Sequence, residues 1–503
     1  MKATYILFLS FITSNILLSQ REDANWILGY NNGVGDPYGI SKISFDTILQ
    51  SLPIMDTLFS PIELMVNNAI ISDKNGNVLF YTNGVVIMNG QNDTMQNGTG
   101  LSPCTYTTQH ENYGLNNIQG SLILPVPNNN HLYYLFHETI ASLGGEPYAD
   151  KLLYSIIDMN EDNGKGAVIQ KNVPILSNKQ LGMGKITACK HANGRDWWII
   201  KSDFYADKYY KFLFQADGLH GPYIQTFNDT IMHVMSNDPD QSGFTPDGSK
   251  YIHSCARSEQ KVFIFDFDRC TGELSYRECI HTKGLKKQYE IGCTFFSPNS
   301  QYMYFSAIDS LYQYDFSQSP INSTRQFIAA YDGFSSPIGF STSFFTGITA
   351  PNGKIYIGAT NGCDWLHVIN HPDSAGTKCG FQQHSVQLPK IVGVGLPNFP
   401  NYHLGAMVGS ACDTITSISN PIETSNVYVY PNPVQNTLHI GTNHIQGEID
   451  ISITNHLGQI LYAQKSLASS QEKTFYMTTF PPGIYYLRIF AGDKLFTQKI
   501  VKE

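Results

Sequence analysis

Gln241-Ser-Gly-Phe-Thr-Pro-Asp-Gly-Ser-Lys-Tyr-Ile-His253 reads as a strand, a tight turn at Asp247-Gly248 and a second strand. Glycine supplies the positive φ that such a turn needs. The unit returns as Cys293-Thr-Phe-Phe-Ser-Pro-Asn-Ser-Gln-Tyr-Met-Tyr-Phe305 and as Gly347-Ile-Thr-Ala-Pro-Asn-Gly-Lys-Ile-Tyr-Ile-Gly358. Weaker copies lie upstream, at Ala69 to Tyr81, Ser121 to Leu135 and Ala188 to Ile199. The second turn residues, Gly76, Asn129, Gly194, Gly248, Ser300 and Gly353, are separated by 53, 65, 54, 52 and 53 residues.

A period near fifty with several short strands per repeat predicts an all-β fold, a β-propeller. The rival is a run of unrelated hairpins in a large sandwich. Further strands follow each turn: Val262-Phe-Ile-Phe-Asp-Phe-Asp268, Leu311-Tyr-Gln-Tyr-Asp-Phe316 and Tyr209-Tyr-Lys-Phe-Leu-Phe214 alternate at period two. Six copies plus one closing blade predict seven blades. The closing blade would pair a first strand around Trp26 to Tyr30 with a last one around His403 to Val408. Six or eight blades stay open, because 320–339 resists assignment.

Lys2, the apolar run Ala3 to Leu18 and then Ser19-Gln20 read as a signal peptide over residues 1–19. The propeller is expected over 20–413, a Ser/Thr-rich linker over 414–425 and a further domain over 426–503. No later stretch could span a bilayer, so no transmembrane anchor is expected in the mature chain. The net charge of −9 offers no basic patch, which argues against nucleic acid as a partner. The nine cysteines suit an exported chain. Cys270 with Cys279, and Cys363 with Cys379, flank turns and read as local pairs, and an odd count leaves a thiol over. Their spacing matches no zinc motif, and neither a metal nor a cofactor is expected.

His191-Ala-Asn-Gly-Arg-Asp-Trp-Trp-Ile199, Leu79-Phe-Tyr-Thr-Asn-Gly84, Asn97-Gly-Thr-Gly-Leu101 and Gly395-Leu-Pro-Asn-Phe-Pro400 resemble phrases of secreted bacterial propeller-like proteins. These often carry sorting or gliding-motility-associated C-terminal domains. The resemblance spans about Asn25 to Met407. It implies fold and context but no chemistry.

Past the linker, Val427-Tyr-Val-Tyr-Pro-Asn-Pro-Val434, Ile449-Asp-Ile-Ser-Ile-Thr454, Leu457-Gly-Gln-Ile-Leu-Tyr462, Pro482-Gly-Ile-Tyr-Tyr-Leu-Arg488 and Phe496 to Val501 read as closely spaced strands of a small β-sandwich. Tyr430-Pro431-Asn432-Pro433, Leu457-Gly458, Pro482-Gly483 with Tyr485, and the Lys499-bearing end resemble the C-terminal sorting domain of type IX secretion cargo. That resemblance implies passage to the periplasm, export through an outer-membrane translocon as partner, and a destination in the medium or on the cell surface.

Catalytic motifs are sparse. Asp73-Lys-Asn-Gly-Asn77 and Asp158-Met-Asn-Glu-Asp162 lack the sixth-place glycine and twelfth-place glutamate of a calcium loop, and read as hairpin turns. There is no nucleophile elbow or phosphate-cradling glycine loop. Trp197 and Trp198 share a strand and must face opposite sides. Blade packing accounts for at least one, and sugar stacking is the weaker alternative for the other. Propeller geometry places the entry ends of the innermost strands at a channel mouth, which singles out Gln119, Lys185, Asp238, Asp240, Gln241, Glu290 and Ser343 as candidate ligand-binding residues. The expectation is therefore an exported, non-enzymatic propeller that binds an extracellular protein or glycan. The rival is a hydrolase or lyase using carboxylates such as Asp240 and Glu290.

Overall fold

The computed structural model describes residues 21–503 apart from 32, 34, 46–52, 228–231, 238, 257–260, 283–291, 413–426, 443–447, 456–459, 468–471 and 492–493. The expected signal peptide and linker lie outside the described residues. The chain falls into two compact units, Met1–Asp413 and Thr414–Glu503.

The first unit is a β-propeller. Among the described residues seven antiparallel sheets follow one another, spanning 25–58, 69–89, 121–181, 187–226, 243–281, 293–330 and 347–392, numbered here sheets 1 to 7. Sheets 1 and 2 have three strands among the described residues and the others four. All six repeated turns join the first two strands of sheets 2 to 7. The one long spacing, 65 residues, arises in sheet 3, whose last three strands have 12, 13 and 15 residues.

Alternation along each strand sends successive side chains into opposite neighbours. In the second strand of sheet 4, Trp197 and Ile199 enter the core shared with sheet 3, while Trp198 and Ile200 enter the core shared with sheet 5. Both tryptophans are buried, and Trp198 Nε1 donates to the Arg269 carbonyl at 3.0 Å. Neither is available for sugar stacking.

The ring closes differently from the expectation. The first strand, Asn25–Tyr30, pairs with Gly39–Ser44 in a sheet of its own, and 403–408 forms no strand. Closure joins sheet 1 to sheet 7 by a short bridge and by face packing: Ile391 N donates to the Pro37 carbonyl at 3.2 Å and Lys390 N to Ser41 Oγ at 3.0 Å. Trp26 and Phe45 of sheet 1 meet Tyr356 of sheet 7, with ring centroids 5.6 Å apart in both pairs. Ile27 and Ile40 meet Ile70 and Tyr81 of sheet 2. Apolar clusters bridge every other neighbouring pair of sheets in turn. The first sheet therefore takes no strand from 403–408 and meets sheets 7 and 2 through its faces and the bridge at Tyr38.

After sheet 7 the chain crosses the turn side of the ring as a strap, residues 393–412. Tyr402 Oη donates to the Ile123 carbonyl at 2.8 Å, Arg269 Nη2 donates to the Gly405 carbonyl at 2.5 Å, and Met407 N donates to the Ala192 carbonyl at 2.7 Å. A disulfide joins Cys270 to Cys412. The expected local pairs are therefore corrected: Cys270 bonds a residue 142 positions away, and Cys279, Cys363 and Cys379 are free thiols. Sequence proximity could not foresee the strap's return over sheet 5.

The second unit is a β-sandwich of two sheets, one built from 427–430, 437–442 and 473–476, the other from 448–455, 460–467, 483–491 and 494–502. Leu438, Ile440, Ile453, Leu487, Ile489 and Ile500 fill the space between them. Among the described residues no helix is long and apolar enough to cross a membrane.

Candidate functional site

The first strand of each sheet lies at the axis. On the side of the hairpin turns these strands surround a cavity of about 450 Å³. Leu122, Thr187, Phe244, Phe296 and Ile348 come from the inner strands of sheets 3 to 7, and Pro246, Pro298 and Pro351 from the turns. The strap supplies the remaining wall through Asn398, Phe399, Asn401 and His403. Asn398 is fixed by four bonds: its amide donates to the carbonyls of Ser121 at 2.9 Å and Ile186 at 3.0 Å, its oxygen accepts from Gln119 at 3.3 Å, and its N–H donates to Asn68 O at 2.9 Å.

Two candidates from the sequence, Gln119 and Gln241, line this cavity. Gln119 forms a two-bond splint to Ser242, its Nε2 donating to the carbonyl and its Oε1 accepting from the N–H, both at 2.9 Å. Gln241 reaches from sheet 5 to sheet 7, where its Oε1 accepts from Gly347 N at 2.9 Å. That bond fixes which amide atom is the oxygen. Gln241 Nε2 has no hydrogen-bond partner among the described residues.

Lys185 and Asp240 come together beyond the glutamines as an ion pair at 2.5 Å, 2% and 0% exposed. Lys185 Nζ also donates to the Ser254 carbonyl at 2.8 Å, and Asp240 accepts from Ala256 N at 2.8 Å. A second pair the sequence did not flag, Lys201 with Glu138 at 2.5 Å, is equally buried. Glu138 also accepts from Asn117 at 2.8 Å and from Gly184 N at 2.6 Å, while Lys201 donates to the Gly184 carbonyl. Burial pulls the Lys201 ammonium below its ordinary range, against the pull of Glu138. Gln119 and Lys185, each just ahead of an inner strand, take left-handed backbone with φ 55° and 54°. Such conformations in non-glycine residues are held by their surroundings. Ser343 Oγ lies 2.6 Å from Thr360 Oγ1. Asp238 and Glu290 lie outside the described residues.

The sequence reading missed Asp23 and His403. His403 Nε2 bonds the Asp23 carboxylate at 3.1 and 3.2 Å, and both residues line the cavity. Burial pulls the His403 imidazole down, but the bonded Asp23 and nearby Glu22 outweigh it and hold its pKa above the ordinary value. The Pro-rich text around Asn398 marked a loop, but nothing in it marked a cavity wall. Cys189 also lines the cavity, and burial pushes its thiol up to about 12, which leaves it inert as a nucleophile. Both rejected calcium loops use their carboxylates in turns: Asp73 accepts from Asn75 N and Asn77 N, each at 2.8 Å, and Asp158 accepts from Asn160 N at 2.9 Å and bonds His131 at 2.8 Å.

In the second unit the Tyr430-Pro431-Asn432-Pro433 segment is stapled to the last strand. Asn432 Nδ2 donates to the Lys499 carbonyl at 2.6 Å, Asn432 Oδ1 accepts from Val501 N at 2.9 Å, and Val434 N donates to Val501 O at 2.8 Å. Tyr485, buried after Pro482-Gly483, donates its hydroxyl to Pro481 O at 2.7 Å. Leu457 and Gly458 lie outside the described residues. Residues 428–503 match the family model of the secretion system C-terminal sorting domain. The protein is thus type IX secretion cargo, destined for the cell surface or the extracellular space. The Asn432 staple explains why this sorting domain pairs its Pro-Asn-Pro segment with a strand at the chain's end.

No curated protein sequence matches the chain. Among solved structures, a Lactobacillus plantarum protein is similar at 13% identity over 75% of this chain and 99% of that one, with a TM-score of 0.44. A Pseudomonas aeruginosa periplasmic gluconolactonase is similar at 11% identity over 75% and 99%, with a TM-score of 0.42. A putative 6-phosphogluconolactonase from Bacteroides uniformis is similar at 13% identity over 91% and 100%, with a TM-score of 0.35.

Proposed function

We propose that the propeller is a binding module, taken to the periplasm by the signal peptide and across the outer membrane by the type IX translocon, and that its ligand, an extracellular protein segment or a glycan, enters the axial cavity. The observation that carries this reading is the cavity itself. Its volume falls in the usual range for small-ligand sites, its walls are mostly apolar, and a few oriented polar groups face inward. The hydrolase reading has less support. Asp23 is the only carboxylate on the cavity among the described residues and is engaged by His403. Asp240 and Glu138 are engaged by buried lysines.

The test is a screen of the purified full chain against glycans and surface extracts, followed by hydrogen exchange with the ligand bound. Protection should concentrate in 242–246, 293–298 and 397–404. Protection confined to the outer strands would reject the cavity as the site.

A further inference from the structure

We propose that the axial cavity takes the terminal ring of a neutral glycan, a pyranose whose hydroxyls bond Gln241 and His403 while its C–H face lies on the proline and phenylalanine walls. This rests on the binding reading above and names the ligand for it.

The cavity's polar groups are mostly committed within the protein. Asn398 is saturated, Asn401 bonds Pro246 O and His403 N, and Gln119 bonds Ser242 and Asn398. Thr294 Oγ1 donates to Gln241 O, and Thr349 Oγ1 donates to Phe296 O. Three cavity-lining side chains keep an unpartnered polar atom among the described residues: Thr187 Oγ1 is sealed in the wall, while Gln241 Nε2 and His403 Nδ1 are open. Gln241 is 8% exposed, and Gly347 holds its oxygen, so its amide N–H can be satisfied only from the cavity. His403 directs Nε2 at Asp23 and leaves Nδ1 to the cavity, an acceptor in the neutral ring and a donor in the charged one. A donor and an acceptor both suit a hydroxyl, which is each in turn.

Charge narrows the class. The cations nearest the axis are held: Lys185 and Lys201 in ion pairs, His403 by the Asp23 carboxylate, Arg269 by the carbonyls of Lys190, His191 and Gly405, and Lys190 over the Trp197 ring at 4.2 Å. Nothing stands ready for a phosphate or a uronate carboxylate. An acyl chain would bury the Gln241 amide without a partner. A sugar ring is the neutral ligand with one hydroxylated rim and an apolar face, and Phe244, Phe296, Phe399, Pro246, Pro298 and Pro351 supply the matching surface.

The experiment is calorimetric titration of the full chain with neutral mono- and disaccharides of glucose, galactose, mannose and N-acetylglucosamine. Galacturonate, decanoate and a proline-rich peptide serve as the other arms. The variants are Gln241→Glu, which keeps the acceptor for Gly347 N and removes the open donor, and His403→Ala. Their melting temperatures are compared with the parent's. At least one neutral sugar should bind, and each variant should weaken it by about tenfold or more while the ring stays folded. Sugar binding unchanged in both folded variants overturns the proposal. So does the absence of sugar binding at about 10 mM when decanoate or the peptide binds and loses affinity in the variants, and that result leaves the binding module standing. No binding in any arm overturns the sugar ligand, and an outer-strand exchange footprint for any ligand found by the wider screen overturns the binding site as well.

Discussion

The propeller buries Glu138, Lys185, Lys201, Asp240 and three histidines, His137, His253 and His367, whereas the sorting domain buries only Thr442 and Thr454 as polar residues among those described. The difference follows from how each unit ends its sheets. In the sandwich, two sheets face each other across Leu, Ile and Val, and the ladders satisfy the backbone. In the ring, seven inner strands converge on an axis where they pair with nothing on one side. Backbone groups at and around these strands need partners, and side chains provide them: Asn398 for Ser121 on an inner strand, Gln119 for Ser242 and Lys201 for Gly184 ahead of inner strands, and Lys185 for Ser254 on the second strand of sheet 5. A polar axis is the cost of radial symmetry, and part of it is left open as a cavity.

The comparison breaks most sharply at Glu138. Glu138→Ala strands the Lys201 ammonium in the interior and should destabilise the propeller by about 3–5 kcal/mol, with the sorting domain's own unfolding unchanged. Calorimetry of the full chain resolves this. A loss below about 1 kcal/mol would mean that water reaches the axis freely.

Leu487→Ala is the counterpart in the sandwich. It should cost the sorting domain about 2–5 kcal/mol and reduce secretion, while the propeller's transition stays put. Cell fractionation and calorimetry together check it. Normal secretion with an unfolded sorting domain would separate export from that fold.

Acid should discriminate next. Burial pulls His137 down to about 3, His367 to about 4 and His253 well below its ordinary value. These folded-state values lie below the unfolded value near 6.5, so the unfolded chain binds more protons once the pH drops below that point. The stability is intact above about pH 6.5 and is lost as the pH falls toward the folded values, by about 2 kcal/mol per histidine at pH 5. Glu22 and Asp203, whose carboxyls burial raises (Asp203 to about 7), and His403, which burial lowers but Asp23 holds above its ordinary value, oppose this by gaining stability as the pH falls. Of these three only Asp203 shifts as far as the buried histidines, which leaves the histidine loss dominant. The propeller's melting temperature should therefore drop between pH 7 and pH 5. A flat profile would show that the histidines are charged in the folded state.

The smallest effect is expected at Tyr430. Its ring is 47% exposed and stacks on Tyr428 and His439, and its hydroxyl donates to Glu472 at 2.8 Å, so Tyr430→Ala should lower the sorting domain's melting temperature least of these changes. A larger loss of secretion than of stability would assign the exposed ring to recognition rather than to folding, and a pulse-chase of secreted protein would read that ratio.

Much of the ring was legible in the sequence because the Pro-Asp/Asn-Gly turns are local and must recur wherever a hairpin of the same geometry recurs. The Asn432 staple was legible as a motif, though not as a contact to the last strand. Three features were not legible. Sheet 1 lacks the turn motif, so its standing as a sheet separate from 403–408 left no mark. The strap has no periodicity, so neither its path across the ring nor Cys270–Cys412 could be read from spacing. Lys185 and Asp240 read as channel-mouth residues, and only the fold shows that they face each other in the interior. Asp23 and His403 are 380 positions apart, and no local pattern links them.

The most direct test of the account is a crystal structure of the full chain grown with the neutral sugar that binds it best. The account predicts one ring in the axial cavity, with hydroxyls within hydrogen-bond reach of Gln241 Nε2 and His403 Nδ1 and its apolar face on the proline wall. Sugar density on the outer strands with an empty axis would contradict it.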